Sequence, residues 1–416
     1  MEITQRQSYL DWLRIFSIAG VLILHSAMPY AANLWWHIRN AETSPLLQMS
    51  NFFLHLFRMP LLFFISGTVS FYMMQRRSAT AFIRLRFTRL FIPILVGMFV
   101  IVPPQIYMER LTQGYQGNYW DFYKTVFRFE VYPEGNLSWH HLWFIVYLFV
   151  YDVIFAPLFM WFISPKSERF KKALNVLCKG KRVFLLAIPS IVWYSLLSER
   201  FPETFNLIQD GCYFVYWLLF LLAGFFCILQ PTLMDSLQRN RRFAVAIGFI
   251  SLLILYYIKL NAPVPESRWN DLRGIIFTVL WPVTAWSWVF GIVGYGKRYL
   301  NRDHSTLKYL NQAAYPFYIL HQTVIVILAY YLTRNDADGV GMKYVYTVGI
   351  TLFVTTGIFH FFIKPFPVMR FLFGMKADSS KSTKAKENGA LAKTGLHKNA
   401  LTEKENVFKE GAMVKL

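Results

Sequence analysis

Residues 9–29 read YLDWLRIFSIAGVLILHSAMP. Such a stretch is long enough, at about 1.5 Å per residue, to cross the roughly 30 Å hydrocarbon core of a bilayer as a helix. It carries charges within it and lacks a small-x-small cleavage site, so it reads as a first membrane span and not as a signal peptide. Nine further apolar runs follow, near 52–74, 89–108, 140–163, 182–198, 211–230, 242–260, 273–295, 314–332 and 344–366. The backbone of a lipid-exposed segment must satisfy its own hydrogen bonds, so these runs are helices. The expected fold is all-α, a polytopic bundle of about ten transmembrane helices.

Composition agrees. Of 416 residues 55% are hydrophobic and only 16% charged, with mean hydropathy +0.35. This excludes a disordered chain, a disulfide-stapled secreted domain and an ordinary soluble enzyme. The net charge of +20 does not make nucleic acid an expected partner, because the basic residues sit in short loops between apolar runs. The even-numbered loops hold 19 Lys and Arg and the odd-numbered ones 10. By the positive-inside rule the even loops and both termini are cytoplasmic. The long odd loops, 30–51 and 109–139, then face outward. Their Trp, Tyr, Gln, Asn and Gly suit carbohydrate contact and a membrane-interface belt equally well. Cys178, Cys212 and Cys227 form no CxxC pair, and no metal site is suggested. The organisation is a transmembrane domain over 1–375 and a disordered, basic cytoplasmic tail over 376–416 with nine lysines and five acids. Membrane lipids, including anionic headgroups, are expected partners.

Ionisable residues inside spans are costly and mark functional candidates. Arg14 and His25 are eleven residues apart. At about 100° per residue they share one helical face, and they lie about 16 Å apart along the axis. A snorkelling arginine or an interfacial histidine explains either residue alone. Their shared face at opposite depths points to function. The second span carries His55-Leu56-Phe57-Arg58-Met59-Pro60 and then Phe63-Phe64-Ile65-Ser66-Gly67, where Ser66 and Gly67 permit close helix packing. Arg84, Arg86 and Arg89 open the third span, and the i,i+3 pair Arg86 and Arg89 faces one side of a helix. Two guanidinium forks there suit phosphate, and a topology signal explains them as well. The fourth span opens His140-His141-Leu142-Trp143-Phe144 and holds Asp152 at mid-depth. His321 lies several residues inside the ninth span, and His360 in the last is a weaker candidate.

These motifs, taken in order, resemble the membrane-bound acyltransferase-3 family: Arg14-x10-His25, Phe57-Arg58-Met59-Pro60 to Phe64-Ile65-Ser66-Gly67, Arg86-x-x-Arg89, His141-Leu142-Trp143-Phe144 and Tyr318-Ile319-Leu320-His321. The resemblance covers about residues 8–366. Its N-terminal half is most similar to members that acylate periplasmic glucans. The resemblance implies an O-acyltransferase of the bacterial inner membrane. Its co-substrate would be acyl-CoA (succinyl-CoA or acetyl-CoA), and its acceptor a glycan hydroxyl. His25 resembles the catalytic histidine and Arg14 its partner. Arg86 and Arg89 resemble the pair that holds coenzyme A phosphates, with Arg84 beside them. Arg58, His141, Trp143 and His321 are candidates for contact with substrate. His25 would act as general base or as a transient acyl carrier, which the sequence leaves open. The competing class is a transporter or flippase for a glycan or an acylated intermediate. Such proteins often show repeated halves, and no repeat is visible here.

Overall fold

The computed structural model describes residues 7–32, 36–261, 268–335 and 337–376. Among them it is all-helical, with eight helices long and apolar enough to cross a membrane. These are α1 (Ser8–Ala27), α2 (Pro45–Met74), α3 (Ala79–Thr112), α7 (Gly211–Leu229), α8 (Pro231–Asn261), α9 (Leu272–Tyr299), α10 (Ser305–Leu332) and α11 (Val340–Ile363). The remaining two apolar runs depart from simple spans. The run near 140–163 is a pair of helices, α4 (His140–Ile154) and α5 (Ala156–Ile163), bent by 60° at Phe155. Pro157 is the cause: it lacks the N–H that would continue the ladder, and it sits in the first turn of α5. The run near 182–198 becomes a shorter helix, α6 (Arg182–Leu197). It starts as a 3-10 segment that gives way to α-helix just before Pro189.

Proline also shapes α3 and α11. Three π-helical turns occur, Phe87–Phe91, Gly97–Ile101 and Phe359–Ile363. Each ends two residues before a proline (Pro93, Pro103, Pro365). The residue preceding each proline donates its N–H five residues back, as Val102 does to Gly97 at 2.8 Å. A proline ring crowds the carbonyl four residues earlier, and the wider turn accommodates it. The first of these turns separates Arg86 from Arg89.

The helices close around one core. Gly67 and Gly224 lock α2 to α7. A Cβ on Gly67 would stand 1.9 Å from Leu221 O, and one on Gly224 would stand 1.8 Å from Phe64 O. No side chain fits at either point, and the close approach of small residues is what packs helices in lipid. The sequence expectation for Gly67 holds. α8 and α9 pair as the other long contact. Lys376, the first residue of the expected tail, is tied back locally: its carbonyl accepts from Arg370 Nη2 at 2.6 Å. The rest of the expected tail, 377–416, lies outside the described residues.

Candidate functional site

At the end of the bundle where the even-numbered loops gather, a cavity of about 890 Å³ opens. Arg14, Arg76, Arg77, Arg86, Arg89, Lys308, Arg370 and Lys376 line it, and no acidic residue among the described residues does. Its deep wall is apolar, formed by Ile18, Leu62, Phe144, Ile145 and Tyr318. The volume is that of a small-molecule site. Such a charge distribution accepts a large anion with an apolar arm.

The arginines divide into two kinds. Arg86 is buried, and its Nε sits 2.7 Å from Asp152 Oδ2 as an ion pair. Arg86 Nη2 donates to Ser70 Oγ at 2.7 Å, and that hydroxyl donates to Asp152 Oδ1 at 2.8 Å. This closed triad ties α2, α3 and α4 together. Arg86 therefore borders the cavity with its charge held by Asp152, whereas the sequence expectation set it beside Arg89 as a phosphate clamp. Arg89 is half-buried and faces the cavity with no ion-pair partner among the described residues. Arg84 is exposed and does not line the cavity. Arg14 lines it and donates through Nη2 to the Asn311 carbonyl at 3.1 Å, which holds α1 against α10.

His25 does not line the cavity. It stands seven residues beyond Ile18 on the unbroken α1, roughly 10 Å further along the axis. There it meets His321, with His25 Nδ1 2.8 Å from His321 Nε2 and the rings stacked at 5.0 Å. The protons on this pair follow from the next contact. His321 Nδ1 is 2.6 Å from the Tyr318 carbonyl, which can only accept. His321 Nδ1 thus carries the proton, its Nε2 accepts, and His25 Nδ1 donates. His25 Nε2 is left as a lone pair with no hydrogen-bond partner among the described residues. The chain Tyr318 carbonyl, His321, His25 orients the His25 ring with Nδ1 as donor, so a neutral His25 presents Nε2 as the basic nitrogen. Tyr318 also lines the cavity, so one residue links its deep wall to the histidine pair.

His141 braces the pair. Its Nε2 lies 3.0 Å from the Ile319 carbonyl, its ring meets His321 edge-on at 5.2 Å, and its own carbonyl accepts from Tyr318 OH. Trp143 packs between Phe63, Phe205 and Trp217, with centroids 4.6–6.1 Å away, and belongs to the aromatic core. Arg58 is buried, and its Nε and Nη1 have no hydrogen-bond partner among the described residues. Its charge lies within electrostatic reach of both His25 and His321. The nearest acidic group that acts on it is Glu203, at a distance too long for an ion pair. His360 is exposed at the periphery.

The family model described as an acyltransferase domain, of the acyltransferase-3 type, matches residues 7–364. The chain belongs to the acyltransferase-3 family. It is therefore an integral membrane acyltransferase. It is similar to the glucans biosynthesis protein C of Escherichia coli O6:K15:H31 (strain 536 / UPEC), 24% identical over 394 residues, 89% of this chain and 95% of the relative. It is also similar to the protein of that name from Salmonella gallinarum (strain 287/91 / NCTC 13346), 23% identical over 398 residues, 91% and 97% of the two chains. No solved structure matches.

Several cavity residues of this family member escaped sequence reasoning. Arg76, Arg77 and Lys308 read as topology signals, and Arg370 and Lys376 lie beyond the last span. The one usable signal was that all of them border spans at the same end of the bundle.

Proposed function

We propose that this acyltransferase takes its acyl group from acyl-CoA in the cytoplasm and passes it to a hydroxyl of a cell-envelope glycan on the far side of the bacterial inner membrane. The observation that carries the reading is the basic cavity whose deep wall ends at Tyr318, next to a histidine pair with a fixed lone pair. The coenzyme A head carries a diphosphate and a ribose phosphate, which suit Arg89, Arg76, Arg77 and Arg14 at the mouth. The pantetheine arm follows the apolar wall toward His25. His25 Nε2 takes the proton of the glycan hydroxyl as that oxygen attacks the thioester carbon. The C–S bond breaks, and the products are an O-acyl ester and coenzyme A thiol. Arg58 faces the charge that develops on the carbonyl oxygen, which its unbonded guanidinium nitrogens are free to meet. A succinyl or an acetyl group fits this scheme. The relatives' name, glucans biosynthesis, directs the choice of acceptor toward a glucan.

Inverted membrane vesicles presenting the basic face outward test the donor and its side. Succinyl-CoA or acetyl-CoA added outside should release coenzyme A thiol, and His25→Ala vesicles should not. Mass spectrometry of envelope glycans from cells carrying either chain should show the acyl ester lost with His25→Ala. Thiol release equal in both vesicle types, with the variant folded in the membrane, overturns the role of His25. Absence of thiol release with either donor overturns acyl-CoA.

A further inference from the structure

A second polar cluster lies at the opposite end of the bundle, and the transfer scheme does not use it. His37 comes from loop 1, Glu109 from the end of α3 and His140 from the start of α4. One ligand-capable atom of each lies within 4.8 Å of the others, and no other such group of three occurs among the described residues. His37 Nδ1 is 2.6 Å from Glu109 Oε2, and the His37 and His140 rings stack at 4.7 Å. A His–Glu hydrogen bond accounts for two of the three. It leaves His140 Nε2 buried with no hydrogen-bond partner among the described residues.

The far atoms are each engaged. Ser138 Oγ is 2.7 Å from His140 Nδ1, Tyr132 OH donates to Glu109 Oε1 at 2.8 Å, and the Gln322 amide nitrogen lies 3.4 Å from His37 Nε2, so a metal on His37 Nδ1 requires that amide to turn its oxygen toward the ring. Outer partners of this kind orient the ligands of a metal centre and fix their tautomers.

We propose that His37 Nδ1, Glu109 Oε2 and His140 Nε2 bind a zinc-class divalent cation at the outer end of the bundle. Two imidazoles and a carboxylate form a donor set suited to such an ion, and three protein ligands leave a fourth position for water. Zinc–ligand distances of about 2.0–2.2 Å set tetrahedral donors roughly 3.4 Å apart, so His37 Nδ1 and Glu109 Oε2, now 2.6 Å apart, must open by about 0.8 Å while the wider separations, none above 4.8 Å, close by up to about 1.4 Å. The ion replaces the proton shared by His37 and Glu109. Its place has a consequence for the reaction centre. His37 packs on Trp36 at 4.9 Å, and Trp36 on His25 at 5.5 Å. The ion ties loop 1 to α3 and α4 and so holds Trp36 over the histidine pair.

The test uses the untagged full chain in detergent, stripped with a chelator and titrated with Co²⁺. The expected result is one Co²⁺ per chain with the visible absorption of a four- or five-coordinate site, displaced by Zn²⁺. His140→Ala should lose that absorption, and His360→Ala, at an exposed histidine, should keep it. His140→Cys should retain one equivalent and add a thiolate-to-cobalt charge-transfer band, which also shows that a chain altered at this position folds. Absence of stoichiometric Co²⁺ binding, or a spectrum unchanged by His140→Ala, overturns the proposal. The readout is metal binding, so its failure is distinct from failure of the acyl-CoA reading.

Discussion

His321→Phe isolates the tautomer argument. Phenylalanine keeps an aromatic ring stacked where His321 stacks on His25 at 5.0 Å, and it removes the acceptor 2.8 Å from His25 Nδ1. Two costs follow. The His25 N–H loses its partner, worth about 1–3 kcal/mol for a buried donor. Nothing then holds the proton on Nδ1, so the base is lost to the other tautomer for part of the time. At 1.36 kcal/mol per decade the expected fall in kcat is about 5- to 150-fold. His25→Ala removes the base altogether and should cost about 10²–10⁴. His321 does not line the cavity, so KM for acyl-CoA should stay at its wild-type value. His321→Gln, whose amide oxygen reaches toward the lost Nε2, should recover part of kcat. The assay is thiol release in inverted vesicles over a range of acyl-CoA concentrations. Wild-type kcat in His321→Phe, or a raised KM with unchanged kcat, would refute the chain from the Tyr318 carbonyl to His25.

Other consequences are equally direct. Arg89→Ala should raise KM for acyl-CoA about five- to thirtyfold, for a loss of about 1–2 kcal/mol, while Arg84→Ala leaves it unchanged; salt titration of binding reads both. Asp152→Ala strands the buried Arg86 charge and should lower stability by about 3–5 kcal/mol, seen as a lower Tm in detergent. Replacing Arg86 and Asp152 together by Met and Leu should recover much of that loss, because the pair itself contributes little beyond its desolvation cost. Gly224→Val forces a side chain into the Phe64 carbonyl and should prevent accumulation of folded protein, whereas Gly349→Val, with open space around its Cβ, should not; expression and detergent melting compare them.

The sequence by itself determined the class of molecule. Apolar length, loop charge and the cost of an unpaired backbone in lipid leave only a helix bundle. It also placed Arg14 and His25 on one face of α1, because helical periodicity is local. It could not separate Arg86 from Arg89. Both are arginines in one motif, and only the approach of Asp152 from α4 and Ser70 from α2 neutralises the first. The bend at Phe155 and the π turns were latent in Pro157, Pro93, Pro103 and Pro365, yet how a helix absorbs a proline depends on its neighbours. His25 meets His321 across 296 residues of chain, and His37, Glu109 and His140 converge from three loops and helix ends. Contacts of that separation carry no periodic signal. They are fixed by which helix faces pack together, as at Gly67 and Gly224, and that packing is decided only in three dimensions.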